Sequence, residues 1–466
     1  MADFVRYTNS QSKLQVARIT LILLAAVLLT CTAAAHTTAP QDALARYLKH
    51  PDSSYRWQPL CNVKYRGGDY AKLLLTSQTW QGSAWRHQLF IIRPDDAPVH
   101  PQNAALFITG GHWHEHYLHS PARCPDDPEA QVFEHLAAAL GMPLAILKQV
   151  PEEPLFGGKT EDTLIAYTFK QYLNTGDDSW PLLLPMVKSA VRAMDAMQAY
   201  AKQNWQTDIR SFLVTGTSKR GWTTWLSAAV DPRVKALAPM SFTMLDMRAQ
   251  LKLQQTSWGR LSDEISDYSN ADLTQKMQSG AATNLLAIVD PWQYRTTITQ
   301  PKLIIDGTND PYWPVDSVNV FWPGLRAPKY LLYLPNNGHS PTDFLRLFGD
   351  LAALARAMQS GRPLPNLNWQ MERYGETMLL TLRSDPAPQR VRIWRAYAPH
   401  DDFRNSLWLK TPLACACGVC HWQTRAARSA WTAFFAEAEY RDDHYLPYFL
   451  SSTVTILPPA VRQHDN

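Results

Sequence analysis

The sequence predicts a protein of the α/β class, with a mainly parallel sheet covered by helices on both faces. Two patterns support this class. Short apolar runs typical of buried strands alternate with longer segments in which apolar residues recur at helical spacing. In addition, small polar residues follow several of the apolar runs, where the loops at the carboxyl edge of such a sheet would lie.

The individual elements follow in order along the chain. Residues 55–93 alternate apolar and polar positions, which predicts antiparallel leading strands. Six apolar runs predict the strands of the main sheet: residues 104–108, 144–149, 210–215, 234–240, 303–306 and 330–334. Four segments with helical periodicity predict the connecting helices: residues 128–140, 184–203, 222–230 and 341–359. Two insertions, residues 152–180 and 245–295, are expected to form a lid over the carboxyl edge.

Ser218 lies where an apolar run ends at a glycine and an amphipathic run begins, in the sequence Gly216-Thr217-Ser218-Lys219-Arg220-Gly221. This pattern is typical of the sharp strand-to-helix turn that exposes a nucleophilic hydroxyl in α/β-hydrolases. The usual elbow is G-x-S-x-G, whereas here the second glycine comes one position late and Arg220 takes its place. We therefore predict an α/β-hydrolase-type fold with Ser218 as the nucleophile.

Two later loops supply candidates for the rest of a catalytic triad. Asp310 ends a Gly-x-x-Asp loop after one strand-like run, and His339 follows the next run, so the chain order is Ser, Asp, His, as expected for this fold. Asp306 is a competing carboxylate, but it directly follows its apolar run. His339 would take the proton of Ser218 as the hydroxyl attacks a carbonyl, and Asp310 would orient the imidazole.

An oxyanion hole requires backbone donors that are already in position. The N–H of Lys219, directly after the nucleophile, is one candidate. Residues 104–108 end at a glycine pair, so Gly111 or His112 is the candidate for the second donor. Weaker candidates, for substrate contacts, are Arg220, Trp113 and Trp222.

Two segments rich in histidine or cysteine raise the alternative of a metal site. His112, His114 and His116 alternate along one segment, and imidazole is a common zinc ligand, although the familiar H-x-H-x-D-H pattern is not matched. Cys415 to His421 offer metal-ligand spacing, but an oxidising compartment would favour disulfides there. We expect no metal and no cofactor, because a Ser-His-Asp mechanism requires neither.

Over residues 47–458 the chain resembles the PhoPQ-activated pathogenicity-related protein family. The most specific stretches are residues 158–167, residues 180–195 and the Ser218 elbow with Lys219-Arg220-Gly221-Trp222. The resemblance implies an exported α/β-hydrolase-like protein linked to bacterial envelope stress or virulence, without implying a substrate. The elbow alone also looks like that of glucuronoyl esterases, which hints at acidic sugar esters.

The amino terminus has the features of a secretory signal. Basic residues precede an apolar run at residues 19–29, and small residues follow it, so we predict a signal peptide over residues 1–35 and a periplasmic or secreted protein. An alternative is lipidation at Cys31. In either case five cysteines remain, an odd set whose pairing the sequence does not determine: Cys61, Cys124, Cys415, Cys417 and Cys420.

Length and composition complete the prediction. At 466 residues the chain suits two domains, namely a hydrolase domain over residues 36–360 and, after a linker at 361–366, a β-sandwich-like domain over 367–460. A net charge of +4 without a basic stripe gives no indication of nucleic-acid binding, and no membrane span is expected in the mature chain. The predicted function is a serine hydrolase acting on a small ester, thioester or peptide. The alternative is an inactive hydrolase-fold binding protein.

Overall fold

The computed structural model describes residues 39–65, 67–98, 101–121, 123–125, 127–441 and 446–460. Within these residues, nine strands form the central sheet: β1 (Arg56–Tyr65), β2 (Gly68–Trp80), β3 (Ser83–Pro94), β4 (Asn103–Ile108), β5 (Leu144–Leu147), β6 (Ser211–Thr217), β7 (Val234–Met240), β8 (Lys302–Gly307) and β9 (Lys329–Leu334). Their order is β1-β2-β3-β5-β4-β6-β7-β8-β9. The first three strands are antiparallel and the remaining six are parallel, which confirms the predicted fold class.

Parallel pairing brings the carboxyl ends of the strands to one edge. In the register between β4 and β6, Ile108 lies opposite Gly216, and in that between β8 and β9, Gly307 lies opposite Leu334. The loops that follow these strands therefore meet above the same edge, where open α/β sheets bind their ligands.

The described helices are α1 (Ala43–Lys49), α2 (Ala130–Leu140), α3 (Glu161–Thr175), α4 (Leu183–Trp205), α5 (Lys219–Val230), α6 (Met247–Trp258), α7 (Ser266–Asn270), α8 (Leu273–Ser279), α9 (Thr283–Val289), α10 (Val318–Phe321) and α11 (Phe344–Ser360). Helices α4 and α5 pack on one face of the sheet, and α2 and α11 on the other. Alternate residues of β4 belong to the two resulting cores, since Leu106 lies in one and Ala105 in the other. A sheet buried on both faces explains why its strands read as continuous apolar runs.

The two predicted insertions are mainly helical. Helix α3 lies in the first, and α6, α7, α8 and α9 lie in the second, which we call the cap segment (residues 245–295). Met247, Leu251, Ile265 and Met277 of the cap segment line a cavity together with Ser218. The cap segment thus lies against the carboxyl edge of the sheet.

The C-terminal strands are β10 (Asn366–Tyr374), β11 (Thr377–Asp385), β12 (Arg390–Ala398), β13 (Leu409–Leu413), β14 (Cys415–Ala416), β15 (Val419–Arg425), β16 (Trp431–Tyr440), β17 (Tyr448–Ser451) and β18 (Thr455–Leu457). They form two antiparallel sheets, ordered β10-β11-β15-β14 and β13-β12-β16-β17, and β18 pairs with β16. Hydrogen bonds tie this region to the hydrolase core, because Tyr333 N donates to Ser451 Oγ (3.1 Å) and Phe449 N donates to Asp350 Oδ1 (2.7 Å). The division into two domains at 361–366 stays a prediction.

The described cysteines form two disulfides, Cys61–Cys124 and Cys415–Cys420, and leave Cys417 as an exposed free thiol. Disulfides are typical of proteins that mature in an oxidising compartment. The predicted signal peptide and Cys31 lie outside the described residues. No helix within the described ranges has both the length and the apolar character needed to cross a membrane.

Candidate active site

Ser218 lies in a tight turn between β6 and α5. Its backbone has φ 61° and ψ −127°, a left-handed conformation that costs a non-glycine residue about 1–3 kcal/mol. The flanking glycines explain how the turn fits. A methyl group at Gly216 would lie 2.9 Å from the Arg220 backbone, and one at Gly221 would lie 2.7 Å from Met240 O. The shifted second glycine therefore still allows the close strand-to-helix crossing that an elbow needs.

Asp310 and His339 are in direct contact. His339 Nδ1 lies 2.8 Å from Asp310 Oδ2, and the second carboxylate oxygen accepts a hydrogen bond from Tyr312 N (2.8 Å). The ring of Tyr312 stacks on the imidazole at 4.0 Å between centroids. His339 Nε2 is buried and has no hydrogen-bond partner among the described residues, so it makes no hydrogen bond to Ser218 Oγ in this structure.

Asp306, the competing carboxylate, lies deeper at the end of β8. Its side chain is buried and accepts a hydrogen bond from Gly307 N (3.1 Å). Burial raises the pKa of Asp306 well above its usual value, and the negative charge of Asp310 raises it further. Asp310 is therefore the carboxylate that faces His339, and burial disfavours a charge on Asp306.

Ser218 and Tyr312 line one cavity, and Tyr312 is the residue that stacks on His339. His339 and Asp310 themselves are not among the residues that line it. The remaining lining is mostly apolar and comes from α3, α5, the loop after β7 and the cap segment: Phe169, Trp222, Phe242, Met244, Met247, Leu251, Ile265 and Met277. The cavity has a volume of about 50 Å³, which is room for roughly three to five non-hydrogen atoms.

The predicted oxyanion donors lie beside the elbow. Lys219 is the first residue of α5, where a backbone N–H has no partner within the helix. Gly111 has φ 109°, and neither its N–H nor that of His112 bonds to another described residue. The preceding residue, Gly110, is fixed because its carbonyl accepts from Gln149 N (3.0 Å).

The two cations beside Ser218 are paired within the protein. Lys219 Nζ lies 2.5 Å from Glu161 Oε2 and 3.2 Å from Asp162 Oδ1. Arg220 donates to both oxygens of Glu161 (2.8 and 3.0 Å) and to Val150 O (2.5 Å), and its guanidinium packs under Gly110. Each guanidinium nitrogen of Arg220 thus has a partner within the protein, and the group packs against the loop after β4. The predicted contact of Arg220 with substrate stays a prediction.

The two predicted tryptophans lie in different surroundings. Trp222 lines the cavity, stacks on Phe242 at 5.0 Å and donates its indole N–H to Val289 O (2.5 Å). Trp113 lies outside the cavity lining, where Arg86 covers its ring at 4.7 Å and Glu115 accepts its indole N–H.

The histidine segment and the cysteine cluster have other partners. His114 and His116 stack on each other at 5.5 Å, and Cys415 and Cys420 form a disulfide. Across the described ranges, no three side chains of His, Cys, Asp or Glu lie together as metal ligands.

Residues of the C-terminal region form hydrogen bonds with the loop of Asp310 and with the loop of His339. Asn309, next to Asp310, donates to Arg404 O (3.0 Å) and Ser406 O (2.8 Å). Asn336, in the loop that carries His339, exchanges two hydrogen bonds with the backbone of Trp408 (2.8 and 3.1 Å). The loop after β12 thus holds the loops of Asp310 and His339 relative to each other.

Sequence reasoning missed three contributors to this site. Tyr312, Asn309 and Glu161 stand in no pattern that predicts catalysis, although Glu161 lies within the stretch 158–167 that resembled the family.

The buried carboxyl of Glu152 is expected to make the free energy of unfolding depend on pH. Glu152 is 5% exposed, and burial raises its pKa to about 7. A raised carboxyl pKa means that the folded state holds the proton more tightly, so this group lowers stability as pH rises from about 4.5 to about 7. Urea unfolding should therefore give Glu152→Gln a free energy of unfolding about 2 kcal/mol higher than that of the parent at pH 8, and the same value at pH 4. Glu376→Gln, at an exposed turn, is the control; an equal gain at both pH values would contradict the assignment.

The sheet order, the elbow and the Asp310–His339 pair define a protein of the α/β-hydrolase class. The chain belongs to the PhoPQ-activated pathogenicity-related protein family, which it matches over residues 44–404. It is 29% identical to autocrine proliferation repressor protein A of Dictyostelium discoideum, with 94% of each chain covered. It is 27% identical to acetyl esterase Axe7A of Xylanibacter ruminicola over 33% of this chain and 32% of that protein. Among solved structures, acetyl xylan esterase 1 from a Thermoanaerobacterium species is similar with a TM-score of 0.48 and 19% identity, covering 68% of this chain and 93% of that one.

Proposed function

We propose that this protein is an exported serine hydrolase that cleaves esters with a short, uncharged acyl group. The observation that carries the proposal is the Asp310–His339 hydrogen bond of 2.8 Å, whose imidazole has a free Nε2 and stacks on a residue of the cavity that Ser218 lines. A strained serine, an oriented imidazole and unpaired backbone donors are the parts that acyl transfer requires.

The proposed reaction proceeds in two steps. Ser218 Oγ attacks the ester carbonyl while His339 Nε2 takes its proton, and Lys219 N–H with Gly111 or His112 N–H binds the oxyanion. The C–O bond to the alcohol then breaks, and His339 returns the proton to the departing oxygen. In the second step His339 deprotonates water, which attacks the acyl-enzyme, and the carboxylic acid leaves as Ser218 regains its proton. Asp310 holds the imidazole and stabilises its charged form throughout.

The size and lining of the cavity support a short acyl group. Room for roughly three to five non-hydrogen atoms means that the cavity accommodates an acetyl or propionyl group but not a long acyl chain. A charged acyl group is disfavoured, because Lys219 is engaged by Glu161 and Asp162 and most other lining side chains are apolar. The relative that matches a third of the chain is named an acetyl esterase, in keeping with this preference.

Export remains part of the proposal. Its support is the predicted signal at residues 1–35 together with the two disulfides of the described chain.

Hydrolysis of p-nitrophenyl acetate, butyrate and octanoate by the mature chain tests the proposal. We expect acetate to be cleaved with a kcat/KM on the order of 100-fold above octanoate, because the long chain exceeds the cavity. Chelator should leave the rates unchanged. Equal rates for all three esters would contradict the acyl assignment. A loss of rate with chelator would favour a metal-dependent hydrolase, and inertness toward every ester would favour an inactive binding protein.

A further inference from the structure

A second, larger hollow lies on the other face of the sheet, beside the loop after β4 that carries Gly110 and Gly111. We call this loop the oxyanion loop. The hollow lies between α2 and α11, over the carboxyl ends of β4, β6 and β7, and has a volume of about 620 Å³. Most of its lining side chains are apolar, and four of them are phenylalanines: Phe107, Phe133, Phe344 and Phe348. We call this hollow the aromatic groove.

The aromatic groove borders the catalytic residues. Gly110 and Gly111 of the oxyanion loop form part of its lining, as does Thr217, which precedes Ser218. Pro341, two residues after His339, forms another part. The groove and the narrow cavity therefore lie on either side of the same catalytic loops.

The lining indicates an uncharged occupant. Glu129 and Lys148 are the charged residues among its described lining, and Lys148 pairs with Glu129 (3.6 Å) and with Asp127 (2.6 Å). Two apolar side chains at the opening are unusually exposed, with Phe344 at 52% and Val132 at 43%. Exposed apolar surface beside a catalytic site is typical of a binding groove for an apolar ligand.

We propose that the aromatic groove binds a bulky apolar alcohol arm of the ester, an inference that rests on the proposed serine hydrolase function. The acyl group becomes attached to Ser218, which lines the narrow cavity and not the groove. The departing oxygen must lie near His339 Nε2, and the loop of His339 continues into the groove at Pro341. The cavity holds only a few atoms, so the larger arm extends into the groove, and the substrate class is a short-acyl ester of an alkyl or aryl alcohol.

Kinetics with a series of acetate esters test this assignment. Ethyl, hexyl and 1-naphthyl acetate share one acyl group and differ only in the alcohol arm. We expect kcat/KM to rise about tenfold from ethyl to hexyl acetate, and Phe344→Ser to bring the hexyl-to-ethyl ratio of kcat/KM most of the way back to one. Leu345→Ser is the matched control, because Leu345 is also 52% exposed, is adjacent in sequence and lies outside the groove lining.

A binding measurement separates this proposal from the proposed function. The uncharged fluorescent probe N-phenyl-1-naphthylamine should bind the Ser218→Ala protein, and Phe344→Ser, but not Leu345→Ser, should weaken that binding several-fold. Probe binding with this pattern in a protein inert toward all esters would retain the groove and overturn the hydrolase. Ester hydrolysis without dependence on the alcohol arm, and probe binding unaffected by Phe344→Ser, would overturn the groove and retain the hydrolase.

Discussion

Replacing Ser218 by Ala is expected to lower the rate of p-nitrophenyl acetate hydrolysis on the order of 10³-fold or more. Without Oγ no acyl-enzyme forms, and His339 is left with no proton to take from a nucleophile. Loss of a triad serine usually has at least this effect, and the residual rate comes from the oxyanion donors and from binding. Steady-state kcat/KM of purified, folded variants is the measurement.

The matched control is Ser340→Ala. Ser340 is exposed and directly follows His339 in the chain, so its loss should change the rate little. His339→Ala should fall as far as Ser218→Ala, and the double variant should fall little further, because the two residues act as a unit. Unchanged hydrolysis by Ser218→Ala would show that another group performs the reaction.

The second large effect concerns stability. Glu161→Gln is expected to lower the free energy of unfolding by about 1–2 kcal/mol, because it removes the carboxylate that pairs with the buried Arg220 guanidinium, while the 41% exposure of the Glu161 side chain lets solvent screen part of the interaction. The side chains of Lys219 and Arg220 are 9% and 10% exposed, and both rely on this carboxylate, although Lys219 retains Asp162. Urea unfolding near neutral pH measures the loss.

The pH dependence of this loss identifies its cause. Burial alone would raise the pKa of Glu161, but the hydrogen bonds and charges of Arg220 and Lys219 outweigh burial and lower it to about 2. A lowered carboxyl pKa stabilises the fold above the usual value near 4.5, and that contribution is lost as pH falls toward 2. The difference between parent and Glu161→Gln should therefore shrink from pH 6 to pH 3. Asp208→Ala removes the exposed pair with Lys202 and should have little effect. A loss for Glu161→Gln as small as that of Asp208→Ala would contradict the account.

Features that depend on local sequence were predictable. The strands of the parallel sheet are buried on both faces, so their apolar runs were visible without knowledge of their neighbours. The elbow was recognisable because Ser218 stands between a strand-like and a helix-like segment. The contact between Asp310 and His339 followed from the rule that loops after parallel strands meet at one edge.

Features that depend on distant partners were not predictable. Arg220 occupies a glycine position in the usual elbow, and only the structure shows that it pairs with Glu161, 59 residues away. The resemblance of the elbow to that of glucuronoyl esterases hinted at acidic sugar esters, and no local pattern indicated that the cations of the elbow pair with Glu161. Likewise, Asn309 is held by carbonyls about 95 residues away, a contact that no local pattern encodes.

The C-terminal strands illustrate a third limit. Strand β16 (Trp431–Tyr440) is central in its sheet, but it contains the buried carboxylates Glu437 and Glu439, so its sequence lacks a clean apolar pattern. Those carboxylates are neutralised by Arg346 of α11 and Arg392 of β12. Charge pairing between elements thus allows β16 to be buried, although apolar–polar alternation in its sequence does not predict a buried strand.

The most direct test of the central claim is the site at which a fluorophosphonate probe attaches. Such probes react with an activated serine whether or not the natural ester is known. We expect one adduct per chain, mapped by peptide mass spectrometry to Ser218 and absent from Ser218→Ala and His339→Ala. Labelling at another residue, or none in folded protein at high probe concentration, would contradict a Ser218–His339–Asp310 triad.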